Sequence, residues 1–254
     1  MSLPAAELAR AERAHYRLHC ALYLPERRDL AGVSLFASPT IPDPEWNHAA
    51  LVDVDAAAWP ARLAEIRRFF ERRGRPATVA VSPFSRPADL AARLAGAGFA
   101  PSFRHRWFFG RDDDAPEASA AVEIVDGEER MSAFVDVFEA VFAEDPEPGY
   151  ARALWRSWRH ATVVHYLARV DGRPAGVASA LHARGACGLY NLAVLPSRRR
   201  RGLGTALTAR RLADARRRGD RLVFLQTEPG AVARRQRRNG LAPGFETVGW
   251  TALE

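Results

Sequence analysis

The sequence predicts an α/β protein made of two related halves, and three observations carry that expectation. Along the second half, runs with the two-residue period of strands alternate with runs of helical period. Within that half, an apolar run passes through "PSRRRRGLG" into a helical segment, giving strand, glycine turn and helix in succession. The first half repeats the surrounding order: "FFERRGRPATVAVSP" from Phe69 lies over "DARRRGDRLVFLQTE" from Asp214, with Gly74 on Gly219, and "GFAPSF" at Gly98 is similar to "GLAPGF" at Gly240.

In chain order, residues 1–110 form the first half, read as helix, strand, helix, strand from Phe69 onward. Where the second half has its arginines and glycines, the first has "NHAALVDVDAAAWPARLAE", with no glycine pair. The stretch "GRDDDAPEASA", Gly110 to Ala120, is acidic and poor in large apolar residues, which places a linker at 111–119. The second half, 120–254, opens with the strand "AAVEIVDG". Met131, Phe134, Val135, Phe138, Val141 and Phe142 then share one face of a helix, and "YARALWRSWRHA" forms another. Three strands follow in "TVVHYLARVDG", "RPAGVASALHARG" and "CGLYNLAVLP", the first two closed by an Asp171-Gly172 turn. "GTALTARRLADARRRG" is a helix stopped by Gly219, "RLVFLQTEP" a strand, "GAVARRQRRNG" a helix and "FETVGWTALE" a last strand.

The stretch "NLAVLPSRRRRGLGTAL" carries the chemistry. A strand that turns directly into a helix gathers unpaired N–H groups and the positive end of the helix dipole at one point, which suits a pyrophosphate. Gly202 and Gly204 lack the Cβ atoms that would hold a phosphate off the amides. Arg199, Arg200 and Arg201 add charge that can grip phosphate through two parallel hydrogen bonds; for Arg198 and Arg200 taken singly, a solvated basic turn is an equal reading.

The element order together with Arg199, Gly202 and Gly204, in the pattern Arg or Gln, two residues, Gly, one residue, Gly or Ala, resembles the GNAT acetyltransferases over Ala120–Glu254. The resemblance implies a tandem GNAT-like fold, with mixed central sheets flanked by helices and a complete acyl-CoA-binding fold in the C-terminal half. It makes the first half a degenerate GNAT-like domain lacking the phosphate loop, an unrelated α/β cap being the other reading. It also implies acetyl-CoA as co-substrate, its pyrophosphate on Arg199, Arg200, Arg201, Gly202, Leu203, Gly204 and Thr205, its pantetheine arm along Leu192, Ala193 and Val194. The implied reaction is transfer of an acetyl group to a primary amine by direct attack, with the Val194 N–H polarising the carbonyl. Glu228, and Glu144, Asp145 and Glu147, are proton-acceptor candidates. Many members carry a tyrosine acid on the last helix; here that position is Gln236, which has no proton to give. Tyr190 is the first substitute, His165 and His182 the next, with sheet packing the competing reading for each.

The acceptor is expected among Phe138, Phe142, Tyr150, Trp155 and Trp158 with Glu139, Glu144, Asp145 and Glu147, a setting for a cationic amine, with a small molecule or amino acid favoured over a protein lysine. Two other classes stay open: a silent acyl-CoA-binding protein, motivated by Gln236, and a nucleic-acid binder. Against the last, all 37 basic residues are arginine, which with abundant alanine reads as codon bias, and the arginine runs are not interleaved with aromatic residues. The net charge of +7 is therefore weak evidence for a nucleic-acid partner. Cys20 and Cys187 read as buried thiols, so no metal is expected. No window reaches the ~18 apolar residues of a membrane helix, and the charged N-terminus is unlike a signal peptide, which points to the cytoplasm with no membrane partner. A homodimer is left open.

Overall fold

The computed structural model describes residues 3–23, 25–110, 122–142, 148–228, 236 and 239–253. The first half runs α1 (Ala5–Tyr23), β1 (Glu26–Leu30), β2 (Val33–Ala37), β3 (His48–Ala50), α2 (Trp59–Glu71), β4 (Thr78–Val81), α3 (Leu90–Gly96) and β5 (Phe99–Gly110). The second runs β6 (Val122–Ile124), α4 (Glu128–Phe142), α5 (Pro148–Ser157), β7 (Val163–Val170), β8 (Arg173–Ala183) and β9 (Ala186–Val194), then α6 (Leu203–Arg217), β10 (Leu222–Thr227) and β11 (Ala242–Ala252). The linker at 111–119 and most of the last expected helix lie outside the described residues.

All eleven strands join one sheet, in the order β1-β2-β3-β4-β11-β5-β10-β9-β8-β7-β6. The sequence reading left each half with its own sheet; the structure instead exchanges their final strands. β5 of the first half pairs antiparallel with β10 of the second, β11 of the second pairs antiparallel with β4 of the first, and β5 and β11 lie side by side at the centre. The sheet is thus continuous across the seam, and the tandem architecture is a single interleaved body.

The seam is held by side chains as well as ladders. Trp107 on β5 is fully buried and donates its indole N–H to Thr247 Oγ1 on β11 at 2.8 Å. Burying an aromatic ring of this size contributes on the order of 5 kcal/mol. On the solvent side, Glu246 accepts from both Arg104 and Arg106.

Helix α1 buries Ala11, His15, Leu18 and Leu22, a stripe at helical spacing that no sequence pattern above had singled out. It packs on the second half: Leu18 and Leu22 share a core with Met131 and Phe134 of α4, Leu154 of α5 and the strand residues Leu167 and Phe224. The opposite face of the sheet is covered by α6 through Leu203, Leu207, Leu212 and Ala215. The third core gathers Ile66, Phe69 and Phe70 of α2 with Leu90 and Leu94 of α3 against Leu35 and Val79. Strand β8, covered on both faces, is apolar at nearly every position, as burial on two sides requires.

Candidate active site

Strands β9 and β10 run parallel but pair only from Leu222↔Ala186 to Phe224↔Gly188. Beyond Gly188 they part, so among the described residues that edge of β9 has no strand partner. On its other edge, β9 carries a bulge against β8, where Ser179↔Tyr190 is followed by Val177↔Ala193. Asn191 takes a left-handed φ of 55° there. Past the bulge, Leu195 donates to Ala175 O at 3.0 Å, so the alternation of the antiparallel ladder turns the N–H of Val194 toward the gap. Ala193, by the same alternation, directs its backbone to β8.

A short 3-10 turn, Pro196–Arg198, leads from β9 into the glycine loop. Gly202 precedes α6 with a φ of 78°, a conformation that costs a side-chain-bearing residue about 1–2 kcal/mol. A Cβ built on Gly202 or Gly204 meets nothing within 4 Å, so the space before the helix is open. Arg199, Arg200 and Arg201 are exposed around it, while Leu203 is buried in the core beneath. Arg199 donates from Nε to Val194 O at 3.2 Å, tying the loop to the strand end. Arg198 faces Asp171 at 3.8 Å.

The gap opens into a cavity of about 410 Å³. Its floor comes from the second half: Leu189 to Leu192 of β9, Leu225 to Thr227 of β10, and Glu228, Arg211 and Gln236. Its opposite wall comes from the first half: His15, Tyr16 and His19 of α1, Glu45, Trp46 and His48 around β3, and Phe103 and His105 of β5. Four of the seven histidines of the chain therefore meet at one cavity.

Burial decides their charge. His15 is held well below the usual imidazole value, first by burial and then by its neighbours His19, His105 and His48. His19 is lowered to about 3 and His48 to about 4, in both cases chiefly by burial. These three are neutral at physiological pH. Glu45 is held below the usual carboxylate range: burial alone would raise it, but the hydrogen bond with His105 and the neighbouring imidazoles outweigh that. Tyr190 donates to or accepts from His15 Nδ1 at 2.7 Å, and burial raises its phenol well above the ordinary value, so the proton stays on. Arg211 reaches from α6 under the bulge, donating to the carbonyls of Ser179 and Tyr190 at 3.2 Å each and to Leu207 O at 3.1 Å, where the bulge has broken the regular ladder.

A parted strand pair, a left-handed glycine ahead of a helix N-terminus and a cavity behind the gap stand together in the second half. A model of the acetyltransferase (GNAT) family matches residues 131–241. Residues 131–241 therefore resemble a GNAT acetyltransferase domain. Solved structures extend the likeness in fold across both halves. One described as a GCN5-related N-acetyltransferase from Kribbella flavida has a TM-score of 0.73 at 21% identity, covering 96% of this chain and 96% of its own. A functionally unknown conserved protein from Staphylococcus epidermidis ATCC 12228 has a TM-score of 0.68 at 11% identity, covering 90% and 94%. A tandem GNAT protein from the clavulanic acid biosynthesis pathway has a TM-score of 0.64 at 20% identity, covering 87% and 78%. No curated protein matches the sequence.

The first half of this tandem GNAT fold shows why it lacks a second loop. By topology β3 and β4 correspond to β9 and β10, and they too pair in parallel, at Ala49↔Val79. But the chain after β3 is occupied by its own neighbours: Arg86 N donates to Val52 O at 2.8 Å, Val54 N to Arg86 O at 3.3 Å, and Asp53 N to Gly32 O at 2.8 Å. Asp53 also binds the Arg86 side chain at 2.5 Å. The groove that stays open in the GNAT domain is filled here by chain and by carboxylate.

Of the residues singled out in sequence, Tyr190, Glu228, Leu192 and Gln236 line the cavity, and Val194 and Arg199 to Thr205 surround the gap beside it. Glu228 is exposed at the end of β10. His165 is elsewhere, buried with Nδ1 on Ser179 Oγ at 2.8 Å and lowered to about 3 by burial. His182 is bound to Asp220 at 2.6 Å near the β8–β9 turn. Cys187 joins that pair to give three ligand-type atoms within 4.8 Å; its thiol is pushed up by burial, and while His182 Nδ1 is bound to Asp220, the buried His182 Nε2 has no hydrogen-bond partner among the described residues. The acceptor wall expected on α4 and α5 is corrected: of its aromatic residues only Phe142 reaches the cavity. Phe138 is in the core, Tyr150 accepts from Trp46 Nε1, and Trp158 donates to Val125 O at 2.9 Å. Glu139 is not among the lining residues, and Glu144, Asp145 and Glu147 lie outside the described ones. Sequence reasoning missed the first-half wall, although His15 and His19, four apart beside Tyr16, already marked one face of a helix.

Proposed function

We propose that the protein is an acyl-CoA-dependent N-acetyltransferase that moves an acetyl group from acetyl-CoA to the primary amine of a small molecule. The observation that carries this reading is the parting of β9 and β10 beside Gly202, with the cavity directly behind it. The residues present fit the co-substrate: the space over Gly202 and Gly204 is open, the N-terminal amides of α6 face it, and Arg200 and Arg201 are exposed beside it, with Arg199 held on Val194 O. Leu192 and Val194 border the gap in which an extended arm adds to the sheet edge. Acetyl-CoA supplies the activated acyl group as a thioester.

This chain's residues do the rest. The N–H of Val194 donates toward the acyl carbonyl oxygen, lowering the barrier where negative charge develops. Glu228, exposed at the rim, accepts the proton that the incoming ammonium must lose before it can attack, through solvent. Tyr190 keeps a proton at its phenol oxygen beside the same cavity, available to the leaving sulfur. The rings of Tyr16, Trp46, Phe103 and Phe142 narrow the approach to the reacting amine.

A second reading, a GNAT domain that binds acyl-CoA without turning it over, is favoured by Gln236, whose buried Oε1 has no hydrogen-bond partner among the described residues where a proton donor would be useful. One experiment separates them. Acetyl-CoA should raise the melting temperature, and thiol release over a panel of small primary amines should exceed the amine-free rate at least a hundredfold. A thermal shift with no amine-dependent release selects the binding protein, and no shift at all removes both.

A further inference from the structure

The wall of the cavity that faces the β9–β10 gap belongs to the half that has lost its own loop. Glu45 sits on the short turn Pro44–Trp46, whose start is fixed by Asp43 accepting from the Glu45 N–H at 2.7 Å. Its Oε1 lies 3.3 Å from His105 Nε2. Beside it Trp46 stacks on His19, 4.7 Å between centroids and 2° from parallel. Among the described residues, His19 Nδ1 and His48 Nε2 are buried there without a hydrogen-bond partner. Aromatic surface, unsatisfied imidazole nitrogens and a single carboxylate make a built recognition site, opposite the reacting edge.

We propose that Glu45 anchors a second, non-reacting cationic group of the acceptor, on the shelf formed by Trp46 and Phe103, so that the natural acceptor is a small diamine whose other amine reaches the β9–β10 gap. This rests on the N-acetyltransferase reading above. The amine that attacks must be neutral, and a carboxylate beside it would keep it protonated. A carboxylate held below its usual range is a weak proton acceptor but a good partner for a cation that stays charged. The charges facing it are few. His15, His19 and His48 are neutral, Arg211 is buried under β9 with its guanidinium on backbone carbonyls, His105 already shares Glu45 Oε1 at 3.3 Å, and Glu228 lines the same cavity from the end of β10. The wall therefore offers one carboxylate among ring faces, which together suit a cation on an apolar or flat body. The silent half is thus the specificity half: its strands no longer hold a coenzyme, and the surface they release reads the acceptor.

The test uses the full chain and a matched pair, 4-(aminomethyl)benzylamine and 4-methylbenzylamine, which differ in one ammonium group. The expected result is a kcat/KM for the diamine at least tenfold above that for the monoamine, falling to a ratio of about one in Glu45→Gln. In parallel, calorimetric titration of the diamine into the protein, with and without coenzyme A, should give a Kd that Glu45→Gln weakens about tenfold, with the melting curve of the variant as the check on folding. Equal use of both amines by the unmodified protein, or a diamine Kd unmoved by Glu45→Gln, overturns the proposal. Failure of the N-acetyltransferase reading looks different: acetyl-CoA gives no thermal shift, while the calorimetric arm still reports on Glu45.

Discussion

The phenol of Tyr190 and Nδ1 of His15, 175 residues apart in the chain, share a hydrogen bond of 2.7 Å, with their rings stacked at 5.8 Å. One residue comes from the strand that borders the gap and the other from the N-terminal helix, so the two halves meet in a polar contact at the cavity itself. Burial keeps both groups neutral. Tyr190→Phe should lower kcat about 10- to 100-fold, with a much smaller change in KM, if the phenol gives up its proton in the reaction. Its structural cost should be about 1 kcal/mol, the net worth of one hydrogen bond. Steady-state kinetics beside a urea melt separates the two effects, and an unchanged kcat takes Tyr190 out of the chemistry.

Acid should unfold this protein earlier than its carboxylates alone require. His19, His48 and His165 are lowered by burial to about 3, 4 and 3 from an ordinary 6.5, and His15 also lies well below it. Between 6.5 and those values the unfolded chain binds protons that the folded one refuses, so stability falls as pH falls, by about 1.4 kcal/mol per pH unit for each such group. Glu12 works in the other direction: burial raises it from 4.5 to about 7, so its contribution is complete below 4.5 and lost as pH rises toward 7. Four histidines outweigh one carboxyl, and the melting temperature should drop steeply from pH 6 to pH 4. A flat curve over that range would contradict the burial of these imidazoles.

The two loop glycines should respond differently to valine. At Gly202 the left-handed backbone costs about 1–2 kcal/mol whatever ligand is present, so that variant loses stability and coenzyme binding together. Gly204 carries no such conformation and faces open space, so Gly204→Val should leave the melt of the free protein nearly unchanged while abolishing the shift caused by acetyl-CoA. Retention of that shift in Gly204→Val would move the phosphate site elsewhere.

The strand exchange bears on what can be cut away. A fragment of residues 120–254 would lose β5, the neighbour of both β10 and β11, together with β4 and the helix that covers α5. It should express as an aggregating or largely unfolded chain, because the exposed edge of β10 and the apolar floor under α1 are left open. Circular dichroism and size-exclusion chromatography decide it: a monomeric, cooperatively melting fragment would show that the GNAT domain stands without its partner half.

Much of this was legible in the sequence where the signal is local. The three strands β7 to β9, the glycine turn and α6 follow from periodicity and from Gly202 and Gly204, and the repeat around Gly74 and Gly219 marks the same α2–β4 and α6–β10 units in space. What escaped is what depends on pairing across long separations. Nothing in "FRHRWFFG" says that its partners are β10 and β11 rather than β4, because an apolar strand fits many edges. The acceptor wall was misplaced for a related reason. Tyr150 and Phe138 are turned into the core because α1 lies over α5 and the Pro44–Trp46 turn reaches Tyr150, contacts made by residues more than a hundred positions away. Gln236 is the converse case: its departure from the family pattern is visible in sequence, but its unsatisfied amide on the cavity floor is visible only in the structure.

With β5 and β11 laced through each other's territory, the cavity has no hinge. Swinging one half away from the other would break three ladders and draw Trp107 from its pocket, so the slot between Glu45 and Leu192 keeps its width as substrates come and go. Selectivity then acts like a gauge rather than a closing jaw. Widening the range of acceptors should call for trimming a ring from the wall, Trp46 or Phe103, and loosening the connection between the halves should gain nothing.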